Sequence, residues 1–155
     1  MKIRLLAVAA RPPGWVVEGF TDYARRLPRE LPLELVEIAP VARKNAAPDR
    51  AMAAEGQRIL NKIGSDDWVV ALDVRGESCS TEQLARKLES WRMQGRNVAI
   101  LIGGADGLDP ACLARADERL SLSAMTLPHA LVRVVIAEQL YRAWSVLAGH
   151  PYHRG

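Results

Sequence analysis

Cysteine is scarce in this chain: Cys79 and Cys112 are the only two among 155 residues. They lie far apart, and neither belongs to a CxxC pair or has a histidine at ligand spacing, which argues against zinc-binding and dithiol redox classes. A chain of this length can bury a core without a metal or a disulfide. We therefore expect two reduced thiols in a cytoplasmic protein.

Long apolar runs are also absent. No stretch approaches the roughly 18 apolar residues that would span a bilayer, so we expect no membrane partner. The apolar N-terminal run is too short for a signal peptide and turns at once into Arg11-Pro12-Pro13-Gly14, so we interpret it as a first core strand. The composition, 49% hydrophobic and 25% charged, is that of a globular protein. The length predicts a single domain over residues 1–155.

Two nucleotide-binding signatures are missing, since the chain contains neither GxGxxG nor a Walker A lysine loop. The net charge of +3 comes from scattered basic residues, so charge alone leaves a nucleic-acid partner open. All three histidines, His129, His150 and His153, fall late in the chain. They lack a convincing fourth ligand, and we expect no metal site.

Five apolar runs have the length of strands, and several are continuous, as expected for strands buried on both faces of a parallel sheet. They are Ile3–Ala9, Leu33–Ile38, Trp68–Asp73, Val98–Ile102 and Leu120–Ser123. Helical patterns lie between them, and the polar stretch Arg43–Ala47 is predicted to be a loop. This alternation predicts an α/β fold, with a mostly parallel sheet and helices on both faces.

Four of the predicted helices carry local signals. Apolar residues recur at three- and four-residue steps over Val16–Leu27 and again over Met52–Ile63. Ser80–Gln83 predicts a capping box for a third helix, with Gly95 as its stop. Asp109, followed by proline, predicts the cap and first turn of a short fourth helix.

The final helix, predicted over Ala130–Leu147, is apolar on more than one side. A domain this small can seldom cover such a helix alone, so we expect part of this surface to meet a second copy in a homodimer. The alternative is a central helix that is enclosed by its own sheet.

Two strand ends form a candidate ligand site. The fourth strand ends on Gly103-Gly104, and the fifth runs into a loop of small and hydroxyl side chains, so both present backbone amides. Residues 122–127 can surround an adenine or ribose, with Leu72, Leu122 and Leu127 as apolar walls. The alternatives are a tight glycine turn and a plain strand-to-helix loop.

The C-terminal tail is a second candidate. Tyr152, His153 and Arg154 are suited to stacking on a base, moving a proton and holding a phosphate, and Pro151 stiffens a segment that would otherwise fray. Two arginines of the final helix, Arg133 and Arg142, are either phosphate anchors or ordinary surface charges.

Four segments together resemble a known family: residues 101–104, 122–129, 133–143 and 151–153. They are similar to the bacterial large-subunit ribosomal RNA methyltransferases that modify N3 of a pseudouridine in 23S rRNA, within the SPOUT superfamily. The resemblance runs essentially from Met1 to Arg154.

The resemblance implies that the C-terminal part of the α/β fold is threaded into a trefoil knot, a rare exception among protein chains. It implies S-adenosylmethionine as methyl donor and 23S rRNA in the assembled ribosome as substrate. It also implies a homodimer in which one subunit's tail completes the partner's active site. The donor site would fall on Leu72, Gly103, Leu122, Ser123, Ala124, Met125, Thr126 and Leu127.

On the same resemblance, the candidate catalytic residues are His153, Arg154 and Tyr152, acting across the dimer. His129, Arg133 and Arg142 are candidate RNA-binding residues. No metal is needed, because the sulfonium of the donor is already an activated electrophile.

Two other functional classes stay open at this point. One is a non-catalytic ribosome-binding or assembly factor of the same fold. The other is a flavodoxin-like small-molecule enzyme, which the absence of a flavin phosphate loop disfavours.

Overall fold

The computed structural model describes residues 1–43 and 47–154. Its parallel strands form a sheet in the order β2-β1-β4-β3-β5. The strands are β1 (Ile3–Val8), β2 (Leu33–Ile38), β3 (Trp68–Ser78), β4 (Val98–Ile102) and β5 (Glu118–Ser121). The predicted parallel sheet is confirmed, although β3 extends further and β5 begins earlier than predicted. Of the predicted loop Arg43–Ala47, residues 44–46 lie outside the described residues.

The helices follow the local signals in the sequence. They are α1 (Gly14–Arg26), α2 (Pro48–Leu60), α3 (Thr81–Gln94), α4 (Pro110–Arg115) and α5 (His129–Ala148). The capping box is confirmed: Gln83 N–H donates to Ser80 Oγ at 3.1 Å, and Ser80 N–H donates to Gln83 Oε1 at 2.7 Å. Gly95 ends α3 in the left-handed region with φ of 69°. Asp109 caps α4 by accepting from Ala111 N–H at 3.0 Å.

Helices cover both faces of the sheet, as predicted. Because side chains alternate along a strand, Ile3 and Leu5 of β1 face a cluster that includes residues of α1, α3 and α5. Leu6 and Val8 face the opposite cluster, which includes Ile59 of α2 and residues of α4. The sheet is therefore buried between two apolar layers.

Helix α5 is only partly enclosed. Ile136, Leu140 and Ala143 are fully buried against the sheet and the neighbouring helices. Leu131 and Val135, on other sides of the helix, are half-buried. The single chain thus leaves an apolar strip of α5 incompletely covered. Neither this strip nor the sheet order tests the trefoil knot, which stays a prediction.

A carboxylate fastens β5 to β3 and α3. Glu118 accepts hydrogen bonds from Trp68 Nε1 at 2.7 Å, Trp91 Nε1 at 2.9 Å and Lys87 Nζ at 3.0 Å. Burial by itself would raise the pKa of Glu118, but these three donors outweigh it and hold the pKa below its ordinary value. The ionised carboxylate therefore stabilises this corner of the fold.

Within the part of the chain that the structure describes, no helix combines the length and hydropathy that crossing a bilayer requires.

Candidate active site

A cavity of about 440 Å³ opens at the carboxyl ends of β4 and β5, beside residues 72–75 of β3. This volume lies in the range of small-molecule and cofactor sites, and parallel sheets bind ligands at this edge. The walls come from the ends of these strands and the start of α5: residues 72–75, 102–108, 122–123, 125–129 and Val132.

The loop after β4 folds back tightly on itself. A Cβ atom at Gly103 would lie 2.5 Å from the Gly107 carbonyl oxygen and 2.7 Å from Leu108 N, both backbone atoms. Gly107 adopts φ of 87° and donates its N–H to the Gly104 carbonyl at 3.1 Å. The glycine pair thus makes a tight turn and, at the same time, forms one wall of the cavity.

The loop after β5 forms the opposite wall and is held by its own hydroxyls. Ser121 Oγ donates to the Ser123 carbonyl at 3.0 Å, and Ser123 Oγ accepts from Met125 N–H at 2.9 Å. These bonds fix the loop without using every backbone amide. The Met125 side chain is 75% exposed at the cavity.

Strand β3 leaves its ladder beside the cavity. Leu72 and Glu77 both pair with Leu120 of β5, so residues 73–76 bulge out of the sheet between them. Val74 and Arg75 of this bulge are exposed and line the cavity. The bulge therefore supplies a rim that regular pairing would not have produced.

Two carboxylates, each with a basic partner, belong to the cavity. Asp73 and Asp106 both belong to the lining. The Arg75 guanidinium approaches Asp73 only to 3.7 Å and is 81% exposed. Asp106 is ion-paired with Arg43, whose Nη2 lies 2.9 Å from Asp106 Oδ2.

The structure brings together most of the residues predicted for the donor site. Those that line the cavity are Leu72, Gly103, Leu122, Ser123, Met125, Thr126 and Leu127, and His129 joins them. Ala124 is exposed but does not belong to the lining. Asp73 and Asp106 were missed. Asp73 is the last residue of one predicted strand and Asp106 lies shortly after the end of another, and these positions were the available signal.

The tail residues lie elsewhere, in a 3₁₀ turn over Pro151–Arg154 that we call the tail turn. Tyr152 donates its hydroxyl to Glu138 Oε1 at 2.9 Å, and its ring centroid lies 4.6 Å from that of Tyr141. Arg142 donates from Nε to the same Glu138 oxygen at 2.9 Å and lies 5.0 Å from the centre of the Tyr152 ring. The tail turn is thus anchored on the last turns of its own α5.

Protonation limits what the tail can do chemically. Burial, together with hydrogen bonds involving Tyr23 and Glu138, raises the pKa of Tyr152 far above its ordinary value. Tyr152 therefore stays protonated near neutral pH and cannot serve as the base. His153 is half-buried, with Nδ1 3.4 Å from Ser145 Oγ, and Arg154 is exposed.

The tail turn and the cavity lie at opposite ends of α5. His129, at the cavity, is the first residue of this 20-residue helix, and the tail turn follows the last. At 1.5 Å per residue, the helix is about 30 Å long. In the single chain, no described residue of the tail turn lines the cavity.

Comparisons with known proteins decide the family. The family model described as "Predicted SPOUT methyltransferase" matches residues 1–153 of this chain. The chain is a SPOUT methyltransferase.

Curated relatives within the SPOUT family extend over the same length. The chain is 56% identical over 155 residues to "Ribosomal RNA large subunit methyltransferase H" of Hahella chejuensis, covering 99% of each chain. It is 58% identical over 156 residues to the protein of the same name from Alkalilimnicola ehrlichii, again covering 99% of each. The chain is therefore an enzyme that transfers a methyl group, and a flavodoxin-like enzyme is set aside.

Solved structures support the fold. A probable methylase family protein of Haemophilus influenzae matches with a TM-score of 0.55 at 15% identity, over 97% of this chain and 69% of that one. A methylase family protein described as putative, from Neisseria gonorrhoeae, matches with a TM-score of 0.56 at 12% identity, over 90% and 80%. At these identities the likeness concerns architecture alone.

The predicted RNA-binding residues of this SPOUT methyltransferase have different surroundings. His129 is exposed at the cavity, and Arg142 is half-buried against Glu138. Arg133 is only 1% exposed and lies 3.4 Å from Glu37 Oε1. The prediction of Arg133 as a surface phosphate anchor does not fit this burial, because RNA cannot reach its guanidinium in the single chain.

Among the described residues, no three His, Cys, Asp or Glu side chains are grouped as ligands for a metal ion.

Proposed function

We propose that this SPOUT methyltransferase uses S-adenosylmethionine to methylate N3 of a pseudouridine in 23S rRNA. It acts in the cytoplasm, as a homodimer, on the assembled ribosome. The names of its relatives support ribosomal RNA of the large subunit as the substrate. The observation that carries the proposal is the cavity at the glycine turn, whose lining combines apolar walls, backbone amides and two carboxylates.

The lining fits the donor in shape and in hydrogen-bonding groups. Leu72, Leu122 and Leu127 offer apolar walls to an adenine ring, and residues around Ser123 and Thr126 offer polar groups to a ribose. Asp73 and Asp106, which are paired with Arg75 and Arg43, offer carboxylate oxygens as hydrogen-bond acceptors to an amino group. When bound, the donor supplies a methyl group on a positively charged sulfur, which is already activated for transfer.

A homodimer resolves the separation of the tail turn from the cavity. If two copies of α5 pack antiparallel about a two-fold axis, each tail turn comes to the partner's cavity. The half-buried apolar residues of α5, such as Leu131 and Val135, supply a surface for this contact. Because the tail turn does not line the cavity of its own chain, two chains are then needed for one site.

Within the composite site, the tail supplies the groups for the nucleotide. N3 of the base carries a weakly acidic proton between two carbonyls, so a base or a cation that stabilises the developing anion accelerates its removal. His153 and Arg154 have these roles, and Tyr152, which stays protonated, contributes its ring as a stacking surface. His129 at the cavity and Arg142 beside the tail turn contact the RNA.

Ribosomes that lack the modification provide the test. The purified protein is incubated with 70S ribosomes, or with free 23S rRNA, and S-adenosylmethionine that carries a labelled methyl group. Digestion and mass spectrometry of 23S rRNA fragments then locate the label. Label on N3 of a pseudouridine in ribosomes, and little on free RNA, is expected; label on another nucleotide would contradict the proposed specificity.

Calorimetry with the donor alone separates the enzyme from a binder of ribosomes without chemistry. Heat of binding that is absent for S-adenosylmethionine but present for ribosomes would overturn the proposed function.

A further inference from the structure

A network of charged side chains lies next to the turn over residues 103–107: Arg43, Glu55 and Asp106. Only Asp106 of these three lines the cavity. Arg43, which follows β2, donates from Nε and Nη2 to Asp106 Oδ2 at 3.0 and 2.9 Å. The same guanidinium pairs with Glu55 of α2, where Nη2 lies 3.1 Å from Oε1 and Nη1 pairs with Oε2. One arginine thus joins α2 to the turn that lines the cavity.

The Arg43 side chain is itself held in place. Glu55 is 2% exposed, and its Oε2 also accepts from Val41 N–H at 3.0 Å. Arg43 Nη1 donates to the Val41 carbonyl at 2.8 Å. A buried carboxylate with these partners has little freedom, because a buried charge that loses its partner is strongly unfavourable. The guanidinium therefore presents its remaining edge to Asp106 in a fixed direction.

Helix α2 also touches both ends of the loop directly. A Cβ atom at Gly104 would lie 3.3 Å from Glu55 Oε1, and a Cβ atom at Gly56 would lie 2.8 Å from Asp109 Cβ. Neighbouring residues of α2 therefore support the start and the end of the stretch 104–109. Arg43 adds the contact to Asp106 between these two points.

We propose that Arg43 is a positioning residue for the methyl-donor cavity, acting through Asp106 and supported by Glu55. The inference rests on the proposed function, since it assigns the cavity to the donor. Asp106 lines the cavity near the tip of the turn, so a shift of its backbone moves the wall against which the donor would rest. The planar guanidinium suits this task because it bonds two carboxylates in fixed directions, which a lysine ammonium cannot do.

Positioning and charge predict different ligand dependence. A misplaced wall weakens the binding of S-adenosylmethionine and of its neutral-sulfur product, S-adenosylhomocysteine, alike. A purely electrostatic effect of Arg43 changes the affinity for the charged donor and leaves that for the product as it was. Titrating the full-length protein with both ligands therefore separates the two effects.

Two variants and one control are needed. Arg43→Lys keeps a positive charge beside Glu55 but loses the planar guanidinium that bonds both carboxylates. Arg43→Met combined with Glu55→Met removes the ion pair without leaving a buried charge. The Asp106 residue itself is left unmutated. The control is Glu34→Gln, which breaks the ion pair with Lys2 at 3.2 Å near the opposite, amino-terminal edge of the sheet.

We expect Arg43→Lys to bind both ligands about 10-fold more weakly, which corresponds to ~1.4 kcal/mol, with the double variant at least as weak. The thermal unfolding midpoint of Arg43→Lys and the KM for ribosomes should stay near the wild-type values, and Glu34→Gln should bind normally. Wild-type affinity of Arg43→Lys and of the double variant for both ligands overturns the proposal. A change confined to S-adenosylmethionine overturns it as well.

Hydrogen exchange tests the role of Arg43 in a second way that does not require ligand binding. The peptide that covers residues 103–109 should exchange its amides faster in Arg43→Lys than in the wild type, without any ligand. If the wild-type protein binds neither ligand, the proposed function fails, and exchange alone then decides whether Arg43 orders the turn. Unchanged exchange refutes that role, and a double variant that does not fold leaves the Arg43→Lys result decisive.

Discussion

Gly103→Ala tests whether the tight turn after β4 is what makes the donor cavity. The new Cβ atom would lie 2.5 Å from the carbonyl oxygen of Gly107 and 2.7 Å from Leu108 N. Both are backbone atoms, so no side chain can rotate away. Ordinary carbon contacts lie at about 3.5 Å or more, and the turn must therefore open by about 1 Å.

The size of the effect follows from that displacement. Forcing extra atoms into a packed site costs about 1–3 kcal/mol of stability, which a protein of this size survives. A misplacement of about 1 Å in an active site costs about 100-fold in rate. We expect Gly103→Ala to fold, to unfold at a lower temperature, and to lose most of its methyl transfer to ribosomes together with most of its donor affinity.

A second glycine provides the matched control. A Cβ atom at Gly14, the first residue of α1, would meet no atom within 4 Å, so Gly14→Ala adds the same methyl group without a clash. Donor affinity is measured by calorimetry, and methyl transfer by labelled donor on ribosomes. Normal affinity and rate in Gly103→Ala would show that the turn adapts freely and would refute the reasoning.

Three further changes test the tail and the fold. His153→Ala should lower methylation of ribosomes and leave donor affinity nearly unchanged; intact turnover would remove His153 from the mechanism. Tyr152→Phe keeps the ring but loses the bond to Glu138, so we expect slower turnover at normal donor affinity, and an unchanged rate would contradict the anchoring of the tail turn. Glu118→Gln should make the free energy of unfolding depend less on pH in the acidic range. Because the pKa of Glu118 is lowered in the folded protein, its contribution to stability is present above about pH 4.3 and is lost as pH falls through the folded value. Thermal melts across the acidic range would show equal slopes for both proteins if this is wrong.

Local signals predicted much of the fold. The Ser80–Gln83 capping box and the stop at Gly95 depend on backbone groups within a few residues, so their outcome did not depend on the rest of the chain. The continuous apolar strands predicted a sheet covered on both faces. The bulge at residues 73–76 was not predicted, because it depends on the pairing of β3 with β5.

The residues of the candidate site likewise include some that local signals could predict and some that they could not. Gly103 and the Ser123 loop could be predicted to lie together because strand ends of a parallel sheet share one edge, and both line the cavity. The burial of Arg133 could not be foreseen, since the side of α5 that faces the interior is set by packing. Ala124 was assigned to the site with its neighbours, but it is exposed and does not line the cavity.

The sequence by itself determined which segments form helices and strands and how α3 and α4 are capped, because capping, periodicity and glycine conformation act over a few residues. The tertiary structure alone decided which distant groups meet. Arg43 lies 63 residues from Asp106 in the chain, and the contact exists because β2 and β4 both flank β1 in the sheet. It also decided that the tail turn packs against Glu138 and Tyr141 of α5 and does not line the cavity.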